Sequence, residues 1–195
     1  MARGEPLANK ILLESGDELL GKLGEVARNE GLPSKFNIST IMPSTLKKPL
    51  DSIFNYTSPT IYYSLYSTNE EWRKKWMPAA MPVAMALQML KRYQEFSKKI
   101  IKIHYPFIEN ENDSLEEVNA VCSAIEFAEL ICEFNLVRYN AASPEQGKES
   151  SEEVITRNID VIRNRFDGKV QIIPRVGFDV KASCGMFVWK ISIYG

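Results

Sequence analysis

The sequence has one histidine and three cysteines among its 195 residues. Cys122, Cys132 and Cys184 are odd in number, far apart and without a CxxC pair, which excludes a disulfide framework and provides no metal-ligand spacing. They read as reduced thiols, by default small buried hydrophobes. The lone His104 lies in a strand-like run, with no Asp or Ser spaced to complete a catalytic triad. No run approaches the ~20 apolar residues of a membrane span, and the opening MARGEPLANK lacks the apolar core of a signal peptide. The expectation is a cytoplasmic protein without membrane contact. Neither sign of charge is in excess: 24 Lys and Arg stand against 25 Asp and Glu, for a formal net charge of -1. A polyanion would therefore have to be held by a local patch.

What is present is ordinary for a globular chain. A composition 45% hydrophobic and 25% charged excludes disorder, collagen-like sequence and coiled coil. The length suffices for a single domain over residues 1–195 with a core of its own.

Apolar spacing alternates between two periods along the chain. Helical spacing runs from Pro6 to Asn29, interrupted by Gly16 and Gly21, and KFNISTIM (35–42) follows as a strand. Leu46 to Tyr56 predicts a short helix, and TIYYSLYS (60–67) is the clearest strand, rich in β-branched and aromatic residues. NEEWRKKWM (69–77) reads as a capped helix with Trp72 and Trp76 on one packing face, and Pro82 opens another helix to about Phe96. IIKIHYPFI (100–108) and CEFNLVRYN (132–140) are strands, separated by a helix that Ser114 and Glu117 introduce with capping-box spacing. After the polar loop AASPEQGKES (141–150), Ser150 and Glu153 repeat that spacing before a helix ended by Gly168, and KVQIIPRV (169–176) is a further strand. This βαβαβαβα order predicts an α/β fold with a parallel sheet or part of a barrel.

In such folds ligands bind beyond the carboxyl ends of the strands, where strand-to-helix loops converge. Here those ends deliver Ser39 and Thr40, then Ser64, Tyr66 and Ser67, then Asn140. Singly, each is a helix-capping residue; three strands doing it together point to a small polar ligand held by neutral hydrogen bonds. The chain opens on Gly4-Glu5-Pro6 running straight into a helix, so a strand is expected upstream. Arg73, Lys74 and Lys75, with Lys98, Lys99 and Lys102, offer contacts to RNA phosphate, although charge runs on helices are more often solvated faces.

Read together, MARGEPL (1–7), NISTIM (37–42), YYSLYSTNEEWRKKWMP (62–78), ENENDS (109–114), LVRYN (136–140) and VKASCGMF (180–187) resemble a known family in order and spacing. It is the C-terminal part of the radical S-adenosylmethionine enzymes that methylate C2 or C8 of an adenine in 23S ribosomal RNA. The resemblance implies a partial (βα)6 radical-SAM barrel, mostly parallel and lacking its first strand or strands, and an S-adenosylmethionine site. Gly4 and Glu5 match the pair set against the cofactor's methionine amino group, and Ser39 matches the serine of a strand. Ser64, Leu65 and Tyr66 match a Ser-Leu-His, with tyrosine in place of histidine. Asn140 matches the asparagine of Tyr-Asn-Pro, with Ala141 in place of proline. Cys184 matches the cysteine that accepts a methyl group and carries it as a methylene to the RNA base, a role suited to a nucleophilic sulfur.

The family also implies a 4Fe-4S cluster held by a CxxxCxxC run, and this chain has none. The reading is therefore of a truncated methyltransferase, inactive alone, with ribosomal RNA as its partner. The alternatives are a non-catalytic α/β binding module that keeps the pocket without the cluster, and a hydrolase or isomerase on a barrel scaffold. The lack of paired acid and base residues at strand ends disfavours the last.

Overall fold

The computed structural model describes residues 4–141 and 146–174, so Cys184 and the rest of VKASCGMF lie outside the described residues. Five strands form one sheet: β1 (Asn37–Thr40), β2 (Thr60–Ser64), β3 (Ile101–Tyr105), β4 (Cys132–Val137) and β5 (Val170–Ile173). All pairings are parallel, and each strand lies beside its successor. Parallel crossovers share one hand, so a sheet built in sequential order puts its helices on one face. That layer comprises α1 (Lys10–Asn29), α2 (Leu50–Ile53), α4 (Val83–Ser97), α5 (Leu115–Phe127) and α6 (Glu152–Arg165). Its residues form one buried cluster with Ile38, Ile61, Tyr63, Ile101, Ile103, Tyr105, Phe134 and Leu136 of the strands. The α/β class, the parallel sheet and the partial barrel of the sequence reading are the observed fold. No helix among the described residues is long and apolar enough to cross a membrane.

Several boundaries differ from the expected ones for identifiable reasons. Pro6–Ala8 forms a separate 3-10 turn, and α1 begins at Lys10 because the Asn9 side chain accepts from the N–H groups of Ile11 (2.9 Å) and Leu12 (3.2 Å). Gly16 serves packing: a Cβ there would lie 2.9 Å from Phe54 and 3.1 Å from the Ile53 side chain, so α1 could not approach α2 as closely. The helix expected from Leu46 to Tyr56 shrinks to α2, because the Asp17 carboxylate captures the N–H groups of Asn55, Tyr56 and Thr57 and draws the chain out of helical geometry. Ser151, not Ser150, caps α6, accepting from Val154 N–H. Ser150 instead donates its hydroxyl to Asp113 at 2.6 Å. Cys122 and Cys132 are buried in the core, where loss of solvation pushes their thiols up to about 11 and about 12.

Candidate functional site

A strand turns alternate side chains to opposite faces, so the residues between the buried ones line the face that no helix among the described residues covers. The register aligns them in layers. Ser39 pairs with Tyr62, Tyr62 with Lys102, and Lys102 with Glu133. Nearer the carboxyl ends, Ser64 pairs with His104, His104 with Asn135, and Asn135 with Gln171. Within the first layer Lys102 and Glu133 form an ion pair. Within the second, Gln171 donates to Asn135 Oδ1 at 2.7 Å, and between the two layers the His104 ring lies 5.1 Å from that of Tyr62. Burial lowers the pKa of His104, so the imidazole is neutral at pH 7. The inner face is thus a polar, hydrogen-bonding surface, and His104 belongs to it.

Above these layers the carboxyl-end loops turn sharply. Met42 and Tyr66, each two residues beyond its strand, have φ of 55° and 58°, a left-handed conformation that non-glycine residues rarely adopt. Gly4, with φ of 100°, precedes Glu5 in the turn that meets the end of β1. The Glu5 carboxylate accepts from Leu7 N–H (3.0 Å), Thr40 Oγ1 (2.6 Å) and Ile41 N–H (2.9 Å). Its side chain therefore ties the Gly-Glu-Pro turn to β1, and what remains to meet a ligand there is backbone. Ser39 is exposed and Ser64 half-buried on the inner face of adjacent strands. The Leu65 side chain is wholly buried in the core, and its carbonyl accepts from Arg73 at 2.5 Å. Asn140 stands three residues past β4. Its Nδ2 donates to the Arg138 carbonyl at 3.4 Å, while its Oδ1 is buried with no partner among the described residues.

Two buried polar residues brace these loops. Asn112 accepts from Ile108 N–H (2.8 Å) and donates to the carbonyls of Tyr66 (2.7 Å) and Pro106 (2.9 Å), joining the loops after β2 and β3. Arg73 is buried too, which removes it from the cationic run that α3 (Glu70–Trp76) was expected to offer RNA. It reaches the carbonyls of Leu65 and Ser67 and the hydroxyl of Tyr63 instead. Glu117 completes no capping box; its carboxylate accepts from Ser67 Oγ (2.5 Å) and Thr68 N–H (2.8 Å). Farther along, Arg138 grips Glu149 and Glu152 and so holds the strand end that carries Asn140.

An aromatic wall stands over the rim. Trp72, Met77 and Ile108 form a cluster separate from the main core, with Ile41, Tyr66, Trp76 and Tyr139 packed against it. Trp72 and Trp76 are stacked, centroids 5.4 Å apart, so they pack over the site's edge and not in the helix layer. Trp76 Nε1 donates to Glu111 at 3.0 Å and Lys75 pairs with the same carboxylate; burial would raise the Glu111 pKa, but these two bonds hold it low. The hydrophobic helix face in the sequence announced this pair, whereas nothing local announced Asn112, whose partners lie in the loops after β2 and β3.

The arrangement combines exposed hydroxyls, an unsatisfied amide oxygen and aromatic surface, a donor and acceptor set that fits an adenosyl cofactor such as S-adenosylmethionine. It does not fit an iron–sulfur cluster. No group of three His, Cys, Asp or Glu among the described residues is placed to hold a metal, and the two described thiols are in the core.

No protein-family model matches the chain. It is similar to the probable dual-specificity RNA methyltransferase RlmN of Clostridium botulinum, 26% identical over 93% of this chain and 54% of that protein. It is similar also to the ribosomal RNA large subunit methyltransferase Cfr of Staphylococcus aureus, 28% identical over 95% of this chain and 53% of that protein. The chain thus spans about half the length of the curated relatives it matches. Its fold is that of a radical SAM methyltransferase from Sphaerobacter thermophilus, with a TM-score of 0.77 and 21% identity over 95% of this chain and 53% of that one. A domain of pyruvate-formate lyase-activating enzyme from Bacteroides vulgatus also superposes, with a TM-score of 0.63 and 18% identity over 89% of this chain and 97% of the domain. By sequence over nearly its whole length, and by fold, the chain resembles the C-terminal half of the radical SAM RNA methyltransferases.

Proposed function

We propose that this chain is the S-adenosylmethionine-binding portion of a radical SAM methyltransferase that acts on an adenine of ribosomal RNA in the cytoplasm. The observation that carries the reading is the polar carboxyl-end rim of a singly wound parallel sheet, with Asn140 Oδ1 buried and unpaired beside it. In this reading the backbone of Gly4 and Glu5 meets the methionine end of the cofactor. Ser39 and Ser64 donate hydroxyl hydrogen bonds, and Leu65 and Tyr66 line the pocket through the turn they share. Asn140 Oδ1 accepts from the adenine amino group. When bound, the cofactor supplies a methyl group activated on a sulfonium. Cys184 would be the thiolate that takes this methyl group, with the thioether S-adenosylhomocysteine as leaving group, and the hydrogen-atom abstraction that turns the methyl into a methylene would fall to the cluster chemistry supplied from outside this chain. The ligands for a 4Fe-4S cluster come from outside this chain, which is one portion of a longer protein and is inactive by itself.

The absence of a CxxxCxxC run from the sequence, and of a metal-holding group among the described residues, favours one alternative, a binding module that retains the pocket without the chemistry. Calorimetry with S-adenosylmethionine separates the two. A methyltransferase portion deprived of the iron that chelates the cofactor's amino acid end binds weakly, with Kd above about 1 μM. Asn140→Ala weakens it further. Sub-micromolar affinity would support the binding module, and no saturable heat, or an Asn140→Ala chain that binds as well as the parent, would refute the pocket itself.

A further inference from the structure

At the end of the sheet opposite the candidate site, a cleft of about 740 Å³ opens beneath the amino-terminal ends of β1, β2 and β3. Five lining residues are cationic, Arg28, Lys35, Lys98, Lys99 and Lys102, and none is acidic. Two are already engaged: Lys102 pairs with Glu133, and Lys99 donates to the Ser58 carbonyl. The side chains of Arg28, Lys35 and Lys98 are exposed and have no bonded partner among the described residues. The nearby Asp17 carboxylate keeps its charge but accepts from the backbone of residues 55–57 and from Thr57 Oγ1, and it forms no ion pair with these three among the described residues. At the rim, Tyr56 is 86% exposed although its backbone is pinned by Asp17, and Phe36 lines the wall.

Free cations around a concavity, with a fixed backbone presenting an aromatic ring, are the parts of a single-strand nucleic-acid groove. The cations follow phosphates and the ring stacks on a base without reading its identity. On a chain of net charge -1 such a cluster is the local patch a polyanion needs. We infer that this cleft docks a single-stranded segment of RNA, with Arg28, Lys35 and Lys98 on phosphates and Tyr56 stacked on a base. The inference rests on the RNA substrate proposed above and adds a second contact surface. With strands of four to five residues, the two surfaces are roughly 15 Å apart, and a folded RNA can touch both.

The test is fluorescence anisotropy of a labelled single-stranded RNA on the full chain at several salt concentrations. The cleft triple variant, Arg28→Ala with Lys35→Ala and Lys98→Ala, is compared with a control triple of equal charge loss, Lys10→Ala with Lys22→Ala and Lys74→Ala. Three lost phosphate contacts at ~0.7 each lower the slope of log K against log salt by about 2 in the cleft triple, while the control is unchanged. Tyr56→Ala weakens binding at least about fivefold with the slope intact. Unchanged thermal midpoints show that all variants are folded. Equal effects of the two triples, or competition by inorganic phosphate as effective as by unlabelled RNA, would overturn the inference. RNA binding that survives the cleft triple defeats this inference alone, whereas a parent chain that binds no RNA defeats the proposed substrate as well.

Discussion

Replacing Asn112 by alanine isolates the brace beneath the candidate site. The side chain is 1% exposed and serves three backbone groups, the N–H of Ile108 and the carbonyls of Tyr66 and Pro106. A buried polar group left without a partner costs ~1–3 kcal/mol, and three such losses, with the half-exposed Tyr66 loop able to recruit water, come to about 3 kcal/mol. For a chain of this size that lowers the thermal midpoint by about 6–12 °C. Asn112→Asp retains an acceptor for Ile108 but turns oxygen toward two carbonyl oxygens, so it is expected to be no better than alanine. Urea unfolding followed by circular dichroism measures the loss. Because the brace fixes the left-handed turn at Tyr66, affinity for S-adenosylmethionine falls in the same variant under conditions where it is fully folded. A midpoint within 2 °C of the parent, outside that ~6–12 °C range, would show that the loops hold themselves, and would refute the account of Asn112 as their common support.

Three further expectations follow from the same geometry. Arg73→Met, which removes a buried guanidinium from the carbonyls of Leu65, Ser67 and Met81, lowers unfolding free energy by about 2–3 kcal/mol; Lys74→Ala, which removes an exposed side chain paired with Glu71, leaves the urea midpoint unmoved. His104 is held neutral by burial, so its folded pKa lies below the unfolded 6.5 and the unfolded chain binds the extra proton; stability is lost as pH falls from about 6.5 through the lowered value. A pH titration of the urea midpoint in which His104→Phe keeps the same acid slope would contradict this. Cys122 and Cys132, with thiols raised by burial, resist iodoacetamide at pH 8 until urea is added; mass spectrometry finding native-state label on either would place it at the surface.

The alternation of helix and strand was legible because each strand carries β-branched or aromatic residues, α5 opens on a capping serine and α4 on Pro82. The parallel direction also followed from the pattern, since helix-length connections suit parallel strands, whereas the sequential order did not, because doubly wound sheets use the same connections. Where the reading of elements failed, the cause was a contact distant in sequence. Asp17 shortens α2 from about forty residues away, and Gly16, which looks like a flaw in a helix, is the point of closest approach to Phe54. The polar strand-end residues were visible one by one, but their surroundings were not. Arg73 sits in a run of like charges on a short helix, and only the fold reveals that one of the three turns inward. Asn112 lies in the polar stretch ENENDS, where no neighbour distinguishes the buried asparagine from the exposed Asn110.

The strongest physical argument for a ligand comes from the inner face of the sheet. A parallel sheet is ordinarily covered on both faces and reads as continuous apolar sequence, and the lumen of a closed barrel is filled by branched apolar side chains. Here TIYYS, IKIHY and CEFNLV alternate, and the inward positions are Tyr62, Ser64, Lys102, His104, Glu133 and Asn135. Such a lumen cannot be packed as a second hydrophobic core, because each of these groups carries a hydrogen-bonding demand that apolar neighbours would leave unmet. Pairings within the layers meet part of that demand, between Lys102 and Glu133 and between Asn135 and Gln171. Ser64 and Asn140 Oδ1, which has no partner among the described residues, lie toward the carboxyl end, where the loops converge, with Ser39 one layer below. The unmet capacity therefore lies at one end of the trough, which is where a polar molecule of cofactor size, and not a structural filler, satisfies it.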